Sequence, residues 1–148
     1  RMTSVAKKEK LLSISELDQF HTEGAGYDIL RYIALPELLG KETQTVLYFT
    51  GRNLARKLEI TSLEDITAIF EKMGWGNLAL VKEKKKVLTF HLMSDSVALR
   101  IKSSMKADFR LEAGFLAEAI QKIKDVSCEC TEKVYKRTLL VEFTVLYQ

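Results

Sequence analysis

One proline, two cysteines, two histidines and one tryptophan are spread over 148 residues, and each scarcity excludes a class of protein. With so little proline, 47% hydrophobic and 29% charged residues, the chain has the profile of a compact domain, not of a disordered one. Two histidines leave few general bases, and neither has a recognisable serine or cysteine partner. There is no G-x-S-x-G elbow, no G-x-G-x-x-G and no Walker loop, and the GAG at Gly24–Gly26 precedes no strand-to-helix cradle. No enzymatic activity and no cofactor are expected. No apolar run approaches the roughly 20 residues of a membrane helix, and RMTSVAKKEKLLSI lacks the apolar core of a secretory leader. A cytoplasmic protein without a membrane partner is expected. The net charge of +3 arises from 23 basic and 20 acidic residues in mixed order, too slight to argue for nucleic acid.

Cys128 and Cys130 sit at i and i+2. On a strand their Cα atoms lie about 6.5–7 Å apart, at or beyond the limit of a disulfide. With His91 they make three soft ligands, one short of a closed zinc site, and the other histidine, His21, falls in the N-terminal arm. Reduced, metal-free cysteines packed as small apolar side chains are expected.

What is present reads as helices followed by strands. Residues 1–24 are polar and are expected to form a flexible arm, with a short helix at Glu16–Phe20. GYDILRYIALPELLG is expected to be helical with an interruption at Pro36, because proline disfavours the α conformation in Leu35. From Thr43 to Leu58, Leu47, Gly51, Leu54, Ala55 and Leu58 share a stripe at helical spacing. Gly51 and Ala55 allow another backbone to come close, and the neighbouring face carries Tyr48, Arg52 and Arg56. Thr61-Ser62-Leu63-Glu64 reads as a capping box with Thr61 at the N-cap, and Gly74 ends that helix.

The period then changes from 3.6 to 2. NLALVKEKK and KVLTFHLMS pair through a turn at Lys84–Lys86, with Leu88, Phe90 and Leu92 on one face and Thr89 and His91 on the other. The lysine run there is expected to be a solvated hairpin tip. Residues 95–108 are ambiguous, a short helix at Ser96–Met105 being one reading, and Asp108 is the expected N-cap of the next helix. VSCECTE and TLLVEFTVLY close the chain as strands, Leu139, Val141, Phe143 and Val145 alternating with Leu140, Glu142, Thr144 and Leu146. The class is α+β: a helical half, then hairpin, helix and hairpin, with helices packed on one twisted antiparallel sheet of about four strands. Residues 25–148 form one domain.

The most informative stretch is FRLEAGFLAEAIQKI, Phe109–Ile123. Leu111, Phe115, Leu116, Ala119, Ile120 and Ile123 share one side of a helix at about 100° per residue. Glu112 projects into that same arc. A buried carboxylate requires a cation or hydrogen-bond donors, and Arg52 or Arg56 is the expected partner. The pair is either a structural ion pair or the polar anchor of a pocket in which Phe115 and Tyr48 contact an apolar ligand.

VLYFTGRNLARKL, MGWGNL and LEAGFLAEAIQ, with YDILRYIALPELLG, resemble the YslB-type family of small proteins from low-GC Gram-positive bacteria, over about residues 26–146. The order of elements also resembles the 4-vinyl-reductase-type domain and the trafficking (TRAPP) subunits. That resemblance implies helices covering an antiparallel sheet, helical pairing in a homodimer, and a cavity for an apolar or small regulatory ligand. In some relatives a cysteine of the helical half carries a fatty acyl chain; here both cysteines fall in the third strand.

The expected function is a non-enzymatic binding or regulatory domain, a homodimer, with a small-ligand cavity between helices and sheet lined by Tyr48, Phe90 and Phe115 and anchored by Arg52, Arg56 and Glu112. The alternative is an assembly subunit with a filled core, docking a partner through the face at Leu47, Gly51, Leu54 and Ala55.

Overall fold

A computed structural model of the chain describes residues 10–20 and 23–148; His21 lies outside them. α1 (Gly26–Ile29) continues through a π-helical turn at Leu30–Ala34 into α2 (Leu35–Leu39), and a 3-10 turn at Gly40–Glu42 leads into α3 (Thr43–Arg56). The interruption before Pro36 is therefore not a break. Leu35 stays α-helical at φ −62°, ψ −45°, and its N–H donates to the Leu30 carbonyl five residues back. Widening the turn by one residue makes room for a proline ring that would otherwise crowd the preceding turn.

α4 (Leu63–Lys72) is capped one residue later than expected. Ser62, not Thr61, is the N-cap: its Oγ accepts from the Asp65 N–H at 3.2 Å, while Asp65 Oδ2 accepts from the Thr61 N–H at 2.9 Å. Thr61-Ser62 and Glu64-Asp65 are both doublets, so the motif can be read in two registers, and the structure takes the second. The other end matches expectation. Gly74 is left-handed at φ 74°, its N–H donates to Glu71 O, and the Trp75 N–H donates to Phe70 O. This Schellman ending turns the Trp75 ring edge-on against Phe70 and Phe115, at centroid distances of 5.1 and 5.3 Å.

β1 (Asn77–Lys84) and β2 (Val87–Met93) form the first hairpin, α5 (Asp95–Lys102) and α6 (Arg110–Lys124) follow, and β3 (Cys128–Tyr135) and β4 (Leu140–Tyr147) form the second hairpin. The fold is α+β, as expected, with one open antiparallel sheet of order β1-β2-β4-β3. Leu139 is not part of the alternation; at φ 56° it belongs to the turn before β4. Phe109, not Asp108, is the N-cap of α6; Asp108 stands one residue earlier, and its Oδ1 accepts the Arg110 N–H at 3.0 Å. Leu88, Phe90, Leu92, Val141, Phe143 and Val145 point inward from the two central strands and are buried. α6 lies on β3 and β4, and α4 on β1.

α3 and α6 cross with their backbones nearly touching. A Cβ added at Gly51 would lie 2.0 Å from Leu111 O, and one at Gly114 would lie 1.8 Å from Tyr48 O. The small-residue stripe of α3 is thus used within the chain. The face at Leu47, Gly51, Leu54 and Ala55 packs on α6 and is not the docking surface expected of an assembly subunit.

Residues 10–20 also differ from the expected frayed arm. Leu12 exchanges hydrogen bonds with Lys57 O and the Glu59 N–H (2.8 and 2.9 Å), and a 3-10 helix at Ile14–Gln19 buries Leu17. Lys72 pairs with Asp18 across this contact.

Candidate functional site

Glu112, in the first turn of α6, is fully buried, as the apolar arc around it required. Its partner is Arg31, a correction to the expectation of Arg52 or Arg56. Arg31 Nη2 donates to Glu112 Oε1 at 2.8 Å, Nη1 donates to Asp108 Oδ2 at 3.0 Å, and the guanidinium lies 4.8 Å from the Tyr32 ring centroid. Arg31 is only 2% exposed although it comes from the outer helical segment. Its signal in sequence is the i, i+4 line Tyr27–Arg31–Leu35, whose outer two members pack on the core. Arg100 adds a second cation: it bonds Asp28 Oδ1 at 2.9 Å and lies 5.6 and 5.9 Å from the rings of Tyr27 and Tyr32. Burial pushes the Glu112 carboxyl above the ordinary range, against the opposing pull of Arg31. Glu112 Oε2, Arg31 Nε and the Tyr32 hydroxyl have no hydrogen-bond partner among the described residues.

Arg52 and Arg56 belong to a different cluster. Arg52 Nε pairs with Glu118 Oε1 (3.1 Å) and Nη1 with Glu129 Oε1 (2.9 Å); Nη1 also donates to Cys128 O and Nη2 to Gln121 Oε1. Arg56 Nε pairs with Glu118 Oε2 at 3.1 Å. The Tyr48 hydroxyl donates to Glu129 and accepts from the Cys130 N–H at 3.1 Å, and Gln121 Oε1 accepts from the Cys128 N–H. Side chains of α3 and α6 thereby satisfy the outward backbone groups of the first half of edge strand β3. Each Arg52 nitrogen already has a protein partner, so the guanidinium is engaged in joining α3 to α6 and β3.

Phe90 and Phe115 are separated from both ionic clusters. Each is buried in the core between helices and sheet, Phe115 edge-on to Phe70 at 5.9 Å. The six expected site residues therefore divide among three places and do not line one cavity. The three soft side chains weighed as metal ligands divide too. Cys128 and Cys130 are buried free thiols on the inner face of the sheet, whereas His91 is on the outer face, bonded to Glu142 at 3.0 Å. Burial raises both thiol pKa values, Cys130 more strongly.

A cleft of about 590 Å³ does open, on the helical side. Leu17, Phe20, Leu54, Met73, Trp75 and Leu111 supply its apolar wall, with Tyr27, Glu71 and Lys72 among the remaining lining. Leu17 and Phe20 come from the segment that the sequence assigned to the arm, so a third of this wall was not visible to a periodicity argument.

These features define a small α+β domain with a vinyl-4-reductase-like fold. The crystal structure of a vinyl-4-reductase family protein from Methanocaldococcus jannaschii superposes with a TM-score of 0.68 at 18% identity, covering 91% of this chain and 88% of that one. The chain belongs to the family described as "Protein of unknown function (DUF2507)", matched over residues 24–146. It is 39% identical over 133 residues to "Uncharacterized protein YslB" of Bacillus subtilis, spanning 90% of each. It is 23% identical over 107 residues to "Uncharacterized protein MJ1642" of M. jannaschii, covering 72% of this chain and 65% of that protein. Among the described residues no helix is long and apolar enough to cross a membrane.

Proposed function

We propose that this protein is a non-enzymatic cytoplasmic binding domain that takes a small apolar molecule in the cleft between the 3-10 helix Ile14–Gln19, α3, α4 and α6. The observation that carries the reading is the cleft itself: about 590 Å³, within the range of small-molecule sites, with mostly apolar walls. The ionic clusters support it indirectly, since Glu112 and Arg52 are engaged in holding helices and the sheet edge. Nucleic acid and membrane are not among the partners of this reading.

Trp75, the one tryptophan, lines the cleft and so provides the test. Titration with a neutral apolar fluorophore such as N-phenyl-1-naphthylamine is expected to quench Trp75 emission saturably. Leu54→Glu, which places a charge in the wall, abolishes the quenching. Unchanged Trp75 emission, or equal quenching in Leu54→Glu, contradicts the reading.

A second reading, an assembly subunit, is favoured by Ile29, Leu30, Ile33 and Leu38, which are large, apolar and exposed along α1, the π-helical turn and α2; Leu38 is 78% exposed. A homodimer through these first-half helices is the form of it we favour. Native mass spectrometry separates the two readings, because it reports oligomer mass and any co-purified small molecule together.

A further inference from the structure

The segment after α5 and the end of β3 enclose a second cleft, of about 370 Å³, that shares no residue with the apolar one. We infer that it binds a small organic phosphate, with the phosphate held by Lys106 and Lys136 and a compact apolar group on Phe109 and Val134.

The argument rests on charge. Arg100, Lys106 and Lys136 line this cleft, and no carboxylate does. Three carboxylates adjoin its lining residues, Asp108 and Glu132 in sequence and Asp28 through an ion pair, and an arginine holds each of them: Asp28 is bound by Arg100 (2.9 Å), Asp108 by Arg31 (3.0 Å) and Glu132 by Arg110 (2.7 Å). Arg100 is therefore neutralised. Lys106 and Lys136 are not: both are exposed, and neither has an ion pair or hydrogen bond among the described residues. Lys102 and Arg137, their near neighbours in sequence, add to the positive field. Two unpaired ammonium groups match the charge of a phosphate monoester, about −1.5 to −2 at neutral pH, better than that of a carboxylate.

Shape narrows the class further. The volume is near the lower end for small-molecule sites. Phe109 is buried and Val134 half-buried, so together they present an apolar floor, while the Ser104 hydroxyl is exposed at the rim. A ligand with a dianionic head and a compact apolar body satisfies both parts. Inorganic phosphate satisfies only one.

The test is a backbone amide NMR titration with phenyl phosphate, inorganic phosphate and benzoate in parallel. Phenyl phosphate is expected to shift amides of residues 103–109 and 134–136 saturably, and to bind more tightly than either other probe. Replacing both lysines, Lys106→Glu with Lys136→Glu, is expected to weaken it at least about tenfold, because a charge-assisted contact is lost on each side. Both positions are exposed, so folding is expected to survive. Ser104→Glu, which keeps both lysines but adds an anion at the rim, is a second variant expected to weaken binding. Lys84→Glu with Lys85→Glu, on the β1–β2 hairpin, changes net charge equally and is expected to leave binding unchanged. Scattered or non-saturating shifts overturn the proposal, as does equal loss in the hairpin variant. Benzoate binding as tightly as phenyl phosphate overturns the phosphate assignment.

Discussion

Arg31 and Glu112 meet at 2.8 Å across a sequence separation of 81 residues, and both are almost wholly removed from solvent. The pair attaches the first helical segment to the start of α6, where Arg31 also reaches Asp108. A buried ion pair adds little net stability, but removing one member leaves the other charged, unpaired and dry. Glu112→Ala is therefore expected to cost about 3–5 kcal/mol, and Arg31→Ala a comparable amount. Glu112→Gln is milder, because its shape and a hydrogen-bond acceptor remain. Urea midpoints measure all three. An unchanged midpoint for Glu112→Ala contradicts the structural role.

The α3–α6 crossing makes a sharper steric prediction. Gly51→Ala and Gly114→Ala each drive a methyl group into backbone, which cannot rotate away as a side chain can. Each is expected to destabilise by at least about 1–3 kcal/mol, the usual cost of overpacking. Gly26→Ala is the control: nothing lies within 4 Å of its added Cβ, so the change should be neutral or stabilising by up to about 1 kcal/mol. Thermal unfolding of the three variants checks the contrast.

The cap register of α4 can be read by two single substitutions. Ser62→Ala removes the acceptor for the Asp65 N–H and should cost about 1 kcal/mol. Thr61→Ala keeps that bond and should cost less, since the Thr61 N–H still donates to Asp65. Equal losses would mean that the two registers exchange.

Alkaline pH should weaken the fold through Tyr48. Burial and the hydrogen bond to Glu129 push its hydroxyl from 10.0 up to about 12. Between those values the unfolded chain loses the proton and the folded chain keeps it. This contribution is therefore fully present below pH 10 and is lost as pH rises toward 12. Tyr27, Tyr32 and Tyr147 are shifted in the same direction. Tyr48→Phe should thus make the alkaline fall in the denaturation midpoint shallower without abolishing it.

Cys128 and Cys130 should resist thiol reagents in the native state. Both are buried, and burial disfavours the thiolate that reacts. Labelling with 5,5′-dithiobis(2-nitrobenzoate) at neutral pH should be slow in the native protein and quick in denaturant, with Cys128 first, since the nearby Arg52 guanidinium favours its thiolate. Rapid native labelling of Cys130 would contradict its placement.

Local chemistry was enough to read the order of elements. Leu88-Phe90-Leu92 alternates with period 2 because successive strand side chains point to opposite faces, and those three are the buried ones. Gly74 ends α4 because a left-handed residue is cheapest as glycine. The burial of Glu112 was legible for the same reason: helical geometry places it on the apolar arc whatever lies opposite. Periodicity reports which face is covered and is silent about what covers it. The partner of Glu112, the close approach of Gly51 to Leu111 and of Gly114 to Tyr48, the docking of Leu12 and Leu17, and the helical-side position of the cleft all depend on residues distant in sequence. Only the packed chain decides these, because each follows from how whole elements stack. A guanidinium on the nearest helix loses to one on a more distant helix when only the second is aimed at the carboxylate.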